Sequence, residues 1–210
     1  MNIYLDSART EDAEQAARLG FVGGVTTNPT LMRKVTADPL QHAKELLAAT
    51  DFAEFYYQPS GRYASMLEEA ETAWSLDPDR VVLKIPATPR GAALARHLAD
   101  RNVPVALTAA QSPNAMAVAE ALGCVAVIPY LDRAWRDQRT PSDLVARLAR
   151  VRKGSTRIVA ASVKHAGQFA AAFAEGADAV TAPLAVLEEL LAHPAALEAE
   201  RAFAAEYGEG

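Results

Sequence analysis

The chain has 210 residues, half of them hydrophobic and 22% charged, with a net charge of −5 and a single cysteine, Cys124. This composition excludes a disordered or fibrous chain and an intramolecular disulfide, and the acidic balance argues against a nucleic-acid footprint, which needs a basic surplus. The expectation is one domain over 1–210 that needs no disulfide or metal staples, in a cytoplasmic setting.

Short β-branched runs alternate with alanine- and leucine-rich stretches along the whole chain. The opening MNIYLDSARTEDAEQ meets Asp6 where an apolar leader would have to continue, so no secretory segment is expected. Strands are predicted at 3–5, 24–26, 54–57, 81–85, 105–107, 125–129, 157–161 and 179–181. Amphipathic helices are predicted near 10–19, 39–49, 61–76, 91–102, 112–122, 141–152, 165–175 and 184–192. A last helix, about 194–207, has no strand behind it. Thr10 is expected to cap the first helix, Gly20, Gly123 and Gly176 to end helices, and Pro39, Pro113 and Pro141 to sit in first turns. The longest apolar stretch, 124–131, is far too short to span a membrane. No dinucleotide fingerprint, phosphate loop, nucleophile elbow or Cys/His metal spacing is present, so neither a metal nor a cofactor is expected.

Strict alternation of strand and helix implies a parallel sheet with helical crossovers. Eight units close naturally into a (β/α)8 TIM barrel, and an open doubly wound sheet fits the alternation too. Barrel chemistry sits where strands end, and the residues there are Asp6, Thr27 with Asn28, Gln58, Lys84, Thr108, Tyr130, Ser162 and, more weakly, Thr181. For Thr181, and to a lesser degree Thr108, the simpler reading is a strand running out into solvent.

Lys84 is the exception to that simpler reading. In VVLKIP, Val81, Leu83 and Ile85 share one face and Val82, Lys84 and Pro86 the other, so on either face of a barrel the lysine leaves bulk water. Burial penalises the ammonium and favours a nucleophilic amine able to form a Schiff base with a ketone or aldehyde. The alternative is a structural pair with Asp6. Asp6 is the one carboxylate among the strand-end candidates and is the first choice for proton transfer. Asn28, between Thr27 and Pro29, either holds a substrate hydroxyl or caps the next helix. Arg133, Ser162 and Lys164 fit a phosphate cup after the late strands, although Lys164 also suits a solvated helix. Arg136 and Arg139 read as surface charge or as an extra anion contact.

These residues resemble the transaldolase family, in particular the small branch that includes fructose-6-phosphate aldolase. GVTTNPTLM and VVLKIPAT resemble its two signatures, and QPS, ALTAAQ, IPYLDR and AASVK continue the pattern over nearly the whole chain. The resemblance implies Lys84 as Schiff-base nucleophile, Asp6 as proton-transfer residue, and Asn28, Thr26 and Ser162 as substrate-positioning groups. It implies a distal phosphate on Arg133, Ser162 and Lys164, and a water among Gln58, Thr108 and Tyr130. It further implies phosphorylated ketose and aldose substrates, no membrane partner, and a homo-oligomer, a pentamer or a decamer of two rings, with the last helix packing on a neighbour. Transaldolases usually carry glutamate at Gln58 and phenylalanine at Tyr130, so this pair points to the aldolase subtype. Pro59, Arg90, Ala92, Asp132 and the segment AWRDQRTP depart from the family pattern and flank the acceptor and phosphate end. Transfer of a dihydroxyacetone unit to an aldose phosphate is the leading expectation, and release of free dihydroxyacetone the next. A non-covalent isomerase or decarboxylase barrel and a sugar-phosphate-binding barrel are the remaining readings.

Overall fold

The computed structural model describes residues 1–207, so 208–210 of the expected domain lie outside the described residues. Eight parallel strands close into one barrel in chain order: β1 (Asn2–Asp6), β2 (Gly24–Thr26), β3 (Glu54–Tyr57), β4 (Val81–Pro86), β5 (Val105–Ala110), β6 (Ala126–Pro129), β7 (Arg157–Ala160) and β8 (Ala179–Ala182). Closure is direct, with β8 pairing back on β1 at Tyr4 and Thr181. The helices outside are α1 (Thr10–Arg18), α2 (Pro29–Val35), α3 (Pro39–Ala49), α4 (Tyr63–Ser75), α5 (Pro89–Ala99), α6 (Asn114–Leu122), α7 (Leu131–Arg136), α8 (Leu144–Val151), α9 (Ala166–Ala174), α10 (Leu184–Glu189) and α11 (Pro194–Glu206). The expected TIM barrel with an additional C-terminal helix is therefore observed, and the open sheet is not.

Several local expectations change. The short helices α2 and α7 were not anticipated, since each follows a strand almost at once and is under two turns long. Arg9, not Thr10, is the cap residue of α1, and Thr10 is already helical. Pro113 precedes α6 instead of lying in its first turn, and Pro141 lies outside α8. Gly20, Gly123 and Gly176 do end helices, at φ of 76°, 76° and 102°.

Two apolar layers follow from the alternation of each strand. Leu5, Val25, Phe55, Leu83, Ile85, Leu107, Val127 and Ile158 pack toward the helices. Tyr4, Tyr56, Val82, Ala106, Ala126, Ile128, Val159 and Ala179 fill the barrel interior. Gly24 makes room for this inner layer, because a Cβ there would lie 2.7 Å from the Glu54 carbonyl and 2.8 Å from the Tyr4 ring.

The N-terminal end of the barrel is plugged by an ion pair. Arg157 donates to Glu54 at 2.5 and 3.0 Å and to the Tyr56 hydroxyl at 3.0 Å, and the Tyr4 hydroxyl also donates to Glu54. The guanidinium beside Glu54 holds its carboxyl below the usual range against the opposing effect of burial. Arg157→Met is expected to destabilise the fold by about 3 kcal/mol, because it strands a half-buried carboxylate. Urea unfolding at fixed protein concentration reads this, and adding Glu54→Gln should recover part of the loss.

Candidate active site

The inward-facing layer runs two residues further along most strands and there turns polar. Tyr4 is followed by Asp6, Tyr56 by Gln58, Val82 by Lys84, Ala106 by Thr108, Ile128 by Tyr130 and Ala179 by Thr181. The same period that packs the core thus places these side chains on the inner face at the C-terminal end of the barrel.

Lys84, on β4, is one of these residues and is 3% exposed. Its Nζ donates to the Thr27 carbonyl at 2.7 Å, so its hydrogen bond goes to backbone and not to Asp6. Burial lowers its pKa to about 8, partly opposed by the charge of Asp6. An amine held in this way is partly neutral near pH 8 and keeps a lone pair for attack on a carbonyl.

Asp6 is held by a chain of hydroxyls. Thr26 Oγ1 donates to Asp6 Oδ1 at 3.0 Å and lies 2.8 Å from Thr181 Oγ1. Since a hydroxyl has one hydrogen and Thr26 spends it on Asp6, the Thr181 hydroxyl donates to Thr26. Thr181 and Thr108 are both buried, which overturns the reading of them as strand ends meeting solvent. Asn28 caps α2, its Oδ1 accepting from the backbone of Thr30 and Leu31 at 3.0 Å each. The cap fixes the amide plane and leaves the Nδ2 donors over for a second partner.

Across the ring, the Thr108 and Tyr130 hydroxyls lie 3.5 Å apart. Gln58 Oε1 is buried with no protein hydrogen-bond partner among the described residues. Arg133, on α7, stacks its guanidinium 4.6 Å from the centre of the Tyr130 ring. Ser162 breaks the inward alternation of β7 at a left-handed φ of 62°, and Lys164 two residues on is exposed. Arg136 and Arg139 are each paired, with Asp132 at 3.1 Å and Asp137 at 2.8 Å, which favours the surface-charge reading. A groove of about 760 Å³ opens beside the ring between α5 and α6, with Asp137, Arg139 and Thr140 of the divergent segment in its wall.

A sequence profile of the family described as Transaldolase/Fructose-6-phosphate aldolase matches residues 3–208. The chain belongs to the transaldolase/fructose-6-phosphate aldolase family. Similar proteins include a "Probable transaldolase" of Nitrosopumilus maritimus, 30% identical with 92% of this chain and 89% of that one covered. Another "Probable transaldolase", from Petrotoga mobilis, is 32% identical over the same shares. A third, from Carboxydothermus hydrogenoformans, is 29% identical over 99% and 98%. Among solved structures, that of FabK from Thermotoga maritima superposes with a TM-score of 0.61 at 19% identity. It covers 86% of this chain, which spans 57% of FabK, and the likeness is one of fold.

Family membership agrees with the resemblance read from GVTTNPTLM and VVLKIPAT. Three features of the site were not anticipated: the Thr27 carbonyl under Lys84, Thr181 behind Thr26, and a side-chain pair, Asp132 with Gln168. Strand alternation signals Thr181, since it lies two residues past the inward Ala179, but a backbone carbonyl and a contact across 36 residues leave no local mark. Among the described residues, no helix is long and apolar enough to cross a membrane.

Proposed function

We propose that the protein is a class I, Schiff-base enzyme that moves a dihydroxyacetone unit from a ketose phosphate to an aldose phosphate. The observation that carries this reading is Lys84, an amine buried on the inner face beside Asp6 with its pKa lowered to about 8. The Lys84 lone pair attacks the ketose carbonyl carbon, and loss of water from the adduct leaves an iminium. Asp6 takes the proton of the hydroxyl on the carbon beyond the scissile bond, that carbon becomes the aldehyde of the departing aldose phosphate, and the bonding pair moves into the iminium to give an enamine. The enamine carbon then adds to the acceptor aldehyde, Asp6 returns its proton to the new hydroxyl, and water hydrolyses the iminium to free Lys84. Asn28 and Thr26 position the donor unit, with Thr26 also bonded to Asp6. The Thr108 and Tyr130 hydroxyls and the free Gln58 acceptor suit the water that the iminium steps release and consume. Arg133, Ser162 and Lys164 receive the phosphate.

A second reading, release of free dihydroxyacetone, is favoured by Gln58 and Tyr130, since glutamine cannot act as an acid or base where glutamate would. One ketose phosphate donor assayed against aldose phosphates of several chain lengths separates the two. Transfer predicts products that depend on the acceptor and little free dihydroxyacetone; release predicts dihydroxyacetone at the same rate without any acceptor.

The lowered lysine pKa gives a pH dependence with a definite sign. Only the neutral amine attacks, so the rate of iminium formation should fall about tenfold for each pH unit below about 8 and level off above it. Borohydride quenching of ketose-treated protein at timed intervals across pH measures that rate.

The same reading takes the protein to be a cytoplasmic homo-oligomer, a pentamer or decamer, with no nucleic-acid or membrane partner. In support, α11 buries none of its residues in its own chain and leaves Leu197 and Phe203 exposed. Light scattering should give a multiple of the 22.4 kDa chain that falls when Leu197 and Phe203 are both changed to glutamate.

A further inference from the structure

We propose that Asp132 and Gln168 are positioning residues for phosphate recognition, a buried clasp that holds Arg133 in place relative to Ser162 and Lys164. The proposal rests on the reading of those three residues as the phosphate site. Both members are buried, Asp132 8% and Gln168 3% exposed, on different elements, α7 and α9. Gln168 Nε2 donates to Asp132 Oδ1 at 3.0 Å, while Gln168 Oε1 accepts from the Lys164 backbone N–H at 2.7 Å. One amide therefore ties the start of α7 to the loop after β7 and spends both ends doing so. The backbone completes the tie: Leu131 N donates to the Ala161 carbonyl at 2.8 Å and Asp132 N to the Ser162 carbonyl at 3.3 Å.

Charge and strain explain why the tie needs these side chains. A buried carboxylate is costly unless it is paired, and here Gln168 donates to it and Arg136 lies 3.1 Å from the same oxygen. Arg133 is the next residue after Asp132, so fixing Asp132 fixes the base of the arginine whose head stacks on Tyr130. Ser162, at a φ of 62°, holds a conformation that a non-glycine residue adopts only when its surroundings impose it. The clasp supplies that constraint on both flanks of Ser162. Pre-organised donors bind without first being ordered, so the clasp acts on affinity for the phosphate and not on chemistry at Lys84.

The test compares Asp132→Ala, Gln168→Leu, Asp132→Asn and Arg133→Ala with the wild type. Two readouts are taken: kcat and KM with a ketose phosphate, and borohydride-fixed adduct on Lys84 with unphosphorylated dihydroxyacetone. Asp132→Ala and Gln168→Leu should each raise KM about tenfold, the scale of one lost hydrogen bond to a charged group, with kcat and the dihydroxyacetone adduct unchanged. Asp132→Asn, which keeps an oxygen for Gln168 Nε2, should restore KM to near wild type. Arg133→Ala should raise KM at least as much. If Arg133→Ala leaves KM alone, the phosphate reading fails and the clasp falls with it. If Arg133→Ala raises KM while Gln168→Leu and Asp132→Ala do not, the clasp alone is refuted. A parallel loss of dihydroxyacetone adduct in the clasp variants also refutes it, since that marks general damage to the barrel. Should Asp132→Ala not fold, Gln168→Leu decides, because it leaves Asp132 beside Arg136.

Discussion

Lys84→Met should lose turnover almost completely, with kcat/KM for a ketose phosphate lower by roughly 10⁴-fold or more, as when a covalent nucleophile is removed. Methionine keeps most of the length and volume of the lysine stem but has no amine. The change also removes a group whose charged form is penalised by burial inside the barrel, so the variant should be as stable as the wild type or more so. The combination is diagnostic. A purely structural lysine, hydrogen-bonded to the Thr27 carbonyl, would instead show its loss in stability and leave the rate of any folded protein near normal. Steady-state kinetics paired with a thermal melt distinguishes the two, and turnover within tenfold of wild type would remove Lys84 from the mechanism.

Asp6→Asn should cost about 10²–10⁴-fold in kcat, the usual contribution of a positioned acid–base group. Asparagine still offers an oxygen to the Thr26 hydroxyl, so the chain from Thr181 through Thr26 stays in place. What it loses is the ability to take and return the proton of the reacting hydroxyl. Formation of the dihydroxyacetone iminium on Lys84 makes no such demand, so that adduct should still be trapped. A variant with full turnover would move the proton transfer elsewhere in the ring, and Tyr130 would be the next group to change.

How much of this was legible in the sequence depended on how local each signal is. VVLKIP carries its own answer, because alternation alone puts Lys84 on the opposite face from Val81, Leu83 and Ile85, and those three do pack against the helices. The same period reaches Asp6, Gln58, Thr108 and Tyr130 once the strands are placed. It reaches Thr181 as well, where the simpler reading of a strand end meeting solvent stood until its burial overturned it. Ser162 is a different case. It leaves the alternation of β7 through a left-handed turn, so its place just after the seventh strand and the resemblance of AASVK pointed to it, and the strand period did not. Asn28 resolved an open choice in part, since its oxygen caps α2 and its amide nitrogen is not used by the cap. The short helices α2 and α7 escaped because a stretch of six or seven residues has too few turns to show a period. The clasp between Asp132 and Gln168 joins residues 36 apart that the pairing of β6 with β7 brings together.

The proposed reaction turns on a covalent bond between the Lys84 nitrogen and a sugar carbonyl carbon. Reducing the protein with borohydride in the presence of a ketose phosphate, digesting it and locating the added mass by peptide sequencing tests that bond directly. A reduced sugar-derived adduct is expected on Lys84 alone, at close to one per chain, and none without the ketose. Absence of any adduct, or an adduct on Lys34, Lys44, Lys153 or Lys164 with Lys84 unmodified, would contradict it.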